Sequence, residues 1–502
     1  MGFTISDVRG LSPSVWLPLA LVTLVTTYLL LTAIYNIYFH PLRIYPGPKF
    51  RAAFLFPYIL AFLTGQSALS AARMHAMYGE IVRVAPNRLS YTDPQAYRDI
   101  RGHRKGGQGE NGKDPMFYFL NTKNVLGAAR DYHAQVRRVL SHGFSAKSMQ
   151  DQAPLITRYV DLLIDRLHHH KPSHDGRKVV DLSAWFNFAT FDIIGDLAFG
   201  APFDCVENGA YHPWVETIVE FVKAIGYVVT VDTYAPAILP YIKYIIPSAT
   251  GQEELIAFAR NRIAKRLELN TERPDFIDTM TNAKSEETTL SRTEVEDNAQ
   301  FLIFAGSETT ASALSGAVYF LAKHPEVQAK LAAEVRNEFK EESEIDIFGV
   351  PKLTYMLAVL DESMRMFPPV PSALPRVCQP GGDVIVGKPV PAGTGLDLYQ
   401  WAIHYSESNF TKPTEFHPER WLGDPRFDTD RKDAFQPFSI GPRNCIGKNL
   451  AYMEMRLILA RLVWNFDISF ADDESKKWID ICEMFGVWRR YPLNMVLTPA
   501  RA

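Results

Sequence analysis

Hydrophobic positions fall into two regimes along this chain. Residues 15–39 are an almost unbroken run of Leu, Val, Ile, Ala, Thr and Tyr, and no Lys, Arg, Asp or Glu stands between Arg9 and Arg43. A membrane-spanning helix needs about 20 such residues, so the run is long enough to cross a bilayer with some tilt. Trp16 lies near one end, with Tyr35 and Tyr38 near the other, where an aromatic belt meets the interface. A cleaved signal sequence fits less well, because its apolar core is usually about 7–15 residues and no small-residue cleavage pattern follows here. Arg43, Lys49 and Arg51 come after the run, while Arg9 and Asp7 precede it. The positive-inside rule therefore puts the bulk of the chain on the cytoplasmic side.

Beyond this predicted anchor (1–39) comes HPLRIYPGPKF (40–50), whose three prolines fix φ and remove backbone donors. It reads as a stiff linker to a body spanning 51–502. In the body, apolar residues recur at helical spacing, notably over 153–168, 252–269, 294–323 and 448–464. EIVRVAPNRLSYTD, from Glu80, reads as two short strands around a Pro-Asn turn, and 381–398 as a second small β region. There is no internal repeat. The pattern predicts a mainly α fold with a minor β portion drawn from separate pieces of chain.

Composition adds mostly exclusions. The chain has 502 residues, 47% hydrophobic and 22% charged, so a folded core is expected and disorder is not. A net charge of −3 without a long basic block gives no electrostatic case for nucleic acid. Cys205, Cys378, Cys445 and Cys482 are scattered with no CxxC pair, which argues against a disulfide framework or structural zinc. His168, His169 and His170 are adjacent, point in different directions on a helix, and read better as a polar helix end than as a metal site.

Chemistry concentrates in FSIGPRNCIG (438–447). A metal-binding thiolate needs positive potential and backbone donors nearby. Cys445 precedes a predicted helix, whose free N–H groups and dipole would face the sulfur. Gly441 and Gly447 permit close approach, and Arg443 could reach a carboxylate on whatever lies against the sulfur.

Phe438, Gly441, Arg443, Cys445 and Gly447 form FxxGxRxCxG, which resembles the haem-thiolate loop of cytochromes P450. AGSETT (305–310), ESMR (362–365) and PERW (418–421) follow that family's motifs in order, so the resemblance covers essentially the whole chain. It implies a P450 fold behind one N-terminal transmembrane helix, a haem b cofactor, and Cys445 as the axial ligand of its iron. Ala305 and Thr309 share a helix face: the small residue leaves room over the haem and the hydroxyl can bond dioxygen, with Glu308 feeding protons through water. Glu362, Arg365 and Arg420 are implied as structural support for the loop. Arg443 and Arg376 are implied as partners of the haem propionates. So are His133 and Arg137, where His133 stands in place of the family's commoner Trp.

The expected activity is that of a membrane-bound monooxygenase, inserting one oxygen atom into a lipophilic small molecule with electrons from NADPH through a separate reductase. The linker, HAQVRRVLSHGFS and LGDPRF resemble the eukaryotic microsomal type, particularly filamentous-fungal enzymes of secondary metabolism acting on polyketides or terpenoids, on the endoplasmic reticulum membrane. Two rivals carry less. An isomerase or dehydratase of the same fold tends to lack the acid–threonine pair found here, and a non-enzymatic haem or ligand carrier would need none of these motifs. Substrate contact is expected from 116–126, 218–246, 370–373 and 484–487.

Overall fold

The computed structural model describes residues 13–104, 109–115, 117–118, 123–172, 176–217, 227–228, 230–231, 237, 241, 252–269, 273–281 and 290–500. Its first helix, Pro13–Tyr38, is apolar throughout, and its side chains stay exposed over most of its length. The stretch Trp16–Tyr38 is long and apolar enough to cross a membrane.

Helices make up most of the body. The long central helix, Arg292–Lys323, starts at a capping box in which the Ser291 side chain accepts from the Glu294 amide and Glu294 accepts from that of Ser291. It packs on the helices Leu182–Phe199, Thr354–Met366 and Lys448–Asn465. Leu182–Phe199 is buried on every side, so it shows no amphipathic period for the sequence to reveal. Ala146–His168 begins seven residues before the apolar pattern at 153, because Ser145 caps it and Pro154 is accommodated inside.

The strands come from separate pieces, as the pattern predicts. Ile81–Ala85 and Arg88–Tyr91 pair antiparallel. Gly395–Asp397 lies parallel to the second of these and antiparallel to Arg376–Val377, which in turn pairs with Gly112–Lys113. Asp383–Ile385 and Lys388–Val390 form a hairpin. A three-stranded sheet joins Val179–Asp181, Asn494–Pro499 and Phe466–Phe470. The large helical core and a smaller cluster around this first sheet meet beside the 438–447 loop, where Phe435 packs against both.

Of the expected substrate-contact segments, most of 218–246 and residues 116 and 119–122 of 116–126 lie outside the described residues. The other two meet, since the Ser372 hydroxyl donates to the Gly486 carbonyl at 2.8 Å. The three histidines do not converge: His168 faces Asn465, His169 Asp165 and His170 Trp185. Among the described residues no group of His, Cys, Asp or Glu could hold a bare metal ion.

Candidate active site

The 438–447 loop is folded on itself by short hydrogen bonds. The Cys445 amide donates to the Phe438 carbonyl at 2.9 Å and the Asn444 amide to that of Gly441 at 3.1 Å. Gly441 sits at φ +78°, and a Cβ there would collide with the Arg101 carbonyl, so both conformation and space demand glycine. The Phe438 ring packs on Tyr452, one turn into the following helix. Arg137 grips the loop from Arg130–Ser141, donating to the Asn444 carbonyl at 2.6 Å and to its side-chain oxygen at 2.5 Å.

Of the four cysteines, Cys445 alone is open to solvent; the other three are buried. Yet the same thiol is crowded by protein: burial pushes its pKa up, while the Gly447 amide, Arg137 and Lys448 pull the other way without prevailing. The thiol is thus accessible and yet closely surrounded by protein. The central helix has a matching feature. It is buried from Ser307 to Leu321, except that Thr309 stays half-buried, as do Phe301, Phe304, Ala305 and Gly306. The two elements touch through a hydrogen bond between Thr310 and Glu454, nine residues past Cys445.

A buried cationic rim stands beside the loop. Arg443 donates to the Glu110 carboxylate through Nε and Nη2, at 3.1 and 2.7 Å, and to the Ala128 carbonyl at 3.0 Å. Arg376 is nearly fully buried, has one long bond to the Asn111 carbonyl at 3.5 Å, and leaves its Nε without a partner. Burial lowers its pKa, with Arg101 and Arg443 adding to the effect. Lys113, paired in register with Arg376, is pushed down to about 7 by burial and then by Arg443 and Arg376. His133 falls to about 3 through burial and then Arg443, Lys113 and Arg137, so it is neutral and offers one N–H.

Whether a haem fits can be judged from these features. Burying several cations against Glu110, with an Arg376 donor unused, is costly unless further negative charge joins them. Two propionate carboxylates supply that charge. A cysteine sulfur beside the rim could ligate an iron, since a bound metal cation would stabilise the thiolate of this desolvated thiol as its proton leaves to solvent. The residues fit the group.

The remaining site residues occupy less expected positions. Glu308 is buried, and its Oε1 accepts from Arg490 Nε and Nη2 at 3.2 and 2.7 Å, while Oε2 has no partner. Arg490 also donates to Ser315 and Asn187. The Thr309 hydroxyl donates back to the Ala305 carbonyl at 2.7 Å. Glu308 is therefore bonded to Arg490 and not to Thr309. Glu362, Arg365 and Arg420 do come together, all fully buried, and Asp430 and Trp421 complete the cluster. Sequence reading missed Arg490, Glu110, Lys113, Asn444, Asp430 and Glu454, none of which carries a motif of its own.

Comparison with known proteins establishes the family. Residues 46–496 match the family model described as Cytochrome P450. The chain is 44% identical to a trichothecene C-15 hydroxylase of Fusarium sporotrichioides over 476 residues, 94% of this chain and 96% of that protein. It is 41% identical to cytochrome P450 monooxygenase astA of Talaromyces wortmannii, covering 96% and 97% of the two chains. An averantin hydroxylase of Dothistroma septosporum is 40% identical, covering 94% and 89%. With a family match over nearly the whole chain and hydroxylases and monooxygenases as its relatives, this enzyme is a monooxygenase, and the chain belongs to the cytochrome P450 family.

Proposed function

We propose that the enzyme inserts one atom of dioxygen into a lipophilic small molecule of fungal secondary metabolism, a polyketide or terpenoid, the other atom leaving as water. NADPH supplies the two electrons through a separate reductase. The observation carrying this reading is the Cys445 loop: an accessible, desolvated thiol pinned from behind by Arg137 and flanked by buried cations. Family membership brings a haem iron, which supplies reductive activation of dioxygen when bound. The proposed cofactor is haem b, and the scattered cysteines offer no CxxC for thioether attachment of a c-type haem.

The protein's residues then have the following tasks. Cys445 is the iron ligand. Arg443, Arg376, His133 and Arg137 hold the cofactor's carboxylates or the loop that meets them, while Phe438 and Gly441 fix the loop's shape. Ala305 leaves space on the half-exposed face of the central helix. Thr309 spends its proton on the Ala305 carbonyl, which leaves the Oγ1 lone pairs to accept a proton-bearing water on that face. Glu308 Oε2, buried and unpartnered, is the oxygen from which a proton passes, while Oε1 is held by Arg490. Glu362, Arg365 and Arg420 support the loop structurally. The division into anchor (1–39), linker (40–50) and catalytic body (51–502), with attachment to the endoplasmic reticulum and a cytoplasmic body, rests on the exposed apolar helix and the basic residues that follow it.

Replacing Cys445 tests the assignment. Cys445→Ala should abolish the red-shifted ferrous–CO Soret band of thiolate ligation, while Cys205→Ala, Cys378→Ala and Cys482→Ala each keep it. Retention of the band in Cys445→Ala would overturn the ligand assignment.

A further inference from the structure

Arg83, on the first strand, is among the largest fully buried side chains, yet its guanidinium meets only carbonyl oxygens. Nε and Nη2 donate to Pro86 at 3.1 and 2.6 Å, and Nη1 donates to the Asn36 carbonyl at 2.8 Å. Among the described residues no anionic partner offsets the burial, which lowers the pKa to about 10. A charge so placed is costly unless something else holds it. Asn36 supplies the reason. It lies in the last turn of Pro13–Tyr38, where carbonyls lack intrahelical partners and the macrodipole is negative. The Phe39 and His40 amides both turn back to Tyr35, which leaves the Asn36 carbonyl to Arg83.

A second tie runs from the same residue. Asn36 is buried although the helix around it is exposed, and its side-chain N–H donates to the Ala53 carbonyl at 2.9 Å. The intervening chain is not a free leash. Leu42 and Tyr45 are buried, the Tyr45 hydroxyl donates to Pro389, and the Arg83 amide donates to Pro46 at 2.8 Å. At Gly47 a Cβ would collide with the Arg83 carbonyl, so the linker lies directly on the strand. Continuous with this junction in the chain, Phe39, Ile44, Phe50, Phe56 and Leu60 remain exposed, and Phe50 belongs to the short helix that ends at Ala53.

We propose that Arg83 and Asn36 clamp the apolar helix to the catalytic body at a fixed angle, so that helix and adjoining aromatic ridge enter a phospholipid bilayer surface as one rigid unit. Bilayer lipid is the occupant because the ridge continues the helix that is long and apolar enough to span it, and exposed aromatic side chains suit the interface. The inference rests on the membrane-anchor reading above. The clamp gives the body one orientation over the lipid, where a flexible tether would give many.

The test uses the full-length holoenzyme in oriented phosphatidylcholine bilayers, with polarised Soret absorption reporting the tilt of the body. Wild-type protein should resist alkaline carbonate extraction and show marked dichroism. Arg83→Met and Asn36→Leu should stay membrane-integrated and keep the ferrous–CO band, while their dichroic ratio falls toward unity. Should Arg83→Met not load haem, Asn36→Leu, which removes only the tie to Ala53, decides in the same direction. Wild-type dichroism in the folded variants, or an isotropic wild type that is nonetheless integrated, would overturn the clamp. A wild type extracted by carbonate would instead overturn the anchor reading beneath it.

Discussion

Glu362 is the most exposing place to perturb the fold, because it serves two buried cations at once. Five N–H groups converge on its carboxylate: Arg365 Nε and Nη2 at 2.9 and 2.8 Å, Arg420 Nε at 3.3 Å, the His417 amide at 3.0 Å and Trp421 Nε1 at 3.0 Å. Burial alone would lower the pKa of Arg365, and Glu362 more than reverses that, so this carboxylate is what keeps the guanidinium stable in the interior. In Glu362→Ala, Arg365 keeps only the carbonyls of His404, Pro413 and Glu415, whereas Arg420 keeps Asp430 and the Thr411 carbonyl. Arg365 thus bears most of the loss. Removing one partner of a buried pair costs about 3–5 kcal/mol, against a total stability of about 5–15 kcal/mol for a typical domain. The expected result is little haem-loaded protein, read as the ratio of Soret to protein absorbance after purification, with the unfolding midpoint in urea shifted down for whatever survives. Arg420→Ala should cost no less, since it strands Asp430 as well as depriving Glu362. A Glu362→Ala protein with full haem content and a loss below about 1 kcal/mol, the value of an exposed pair, would refute the reasoning.

Two single residues and the wild type itself give three further outcomes. Thr309→Ala, which keeps the helix because alanine is its best former, should retain haem and NADPH consumption while product per NADPH falls and peroxide rises; an unchanged yield would remove Thr309 from proton handling. NADPH-independent turnover of the wild type would favour the isomerase reading over the monooxygenase one. Glu454 is raised from 4.5 to about 8 by burial, so the folded state holds a proton that the unfolded state has released, and stability declines as pH rises from about 4.5 to about 8 and then levels off. Urea midpoints of Glu454→Gln should lose that component of the decline, and an identical pH profile in the two proteins would show that the carboxyl is solvated.

Legibility in the sequence follows a physical rule. Elements with a period or a local signal were visible: the apolar first helix, the amphipathic helices, the Pro-Asn strand turn and the glycine-flanked cysteine. Each is specified by residues within a few positions of one another. Leu182–Phe199 was not visible, because a helix buried all round has no polar face to mark its period. The candidate site divides in the same way. Glu362 and Arg365 are three residues apart and could be paired on sight, while Arg420 required the family's pattern to join them.

Long-range charge pairing is where the sequence gives least, and it changes the chemistry most. Glu308 and Thr309 are neighbours in the chain, which invites reading them as one relay. Neighbours on a helix point about 100° apart, however, and here they face different surroundings: Thr309 the half-open face, Glu308 the core. What meets Glu308 in the core is Arg490, 182 residues away and just past the hairpin of Glu483–Phe485 with Val487–Arg489, and it also reaches Asn187 and Ser315. Proton supply through Glu308 therefore rests on Oε2, the oxygen Arg490 leaves unpaired. Arg443 poses the same problem beside the cysteine. Its motif suggests a cation free for a cofactor carboxylate, whereas Glu110 already takes two of its N–H groups. That leaves Arg376, whose Nε has no partner, as the donor most open to a further anion, and the pairing of two short strands sets it beside Lys113.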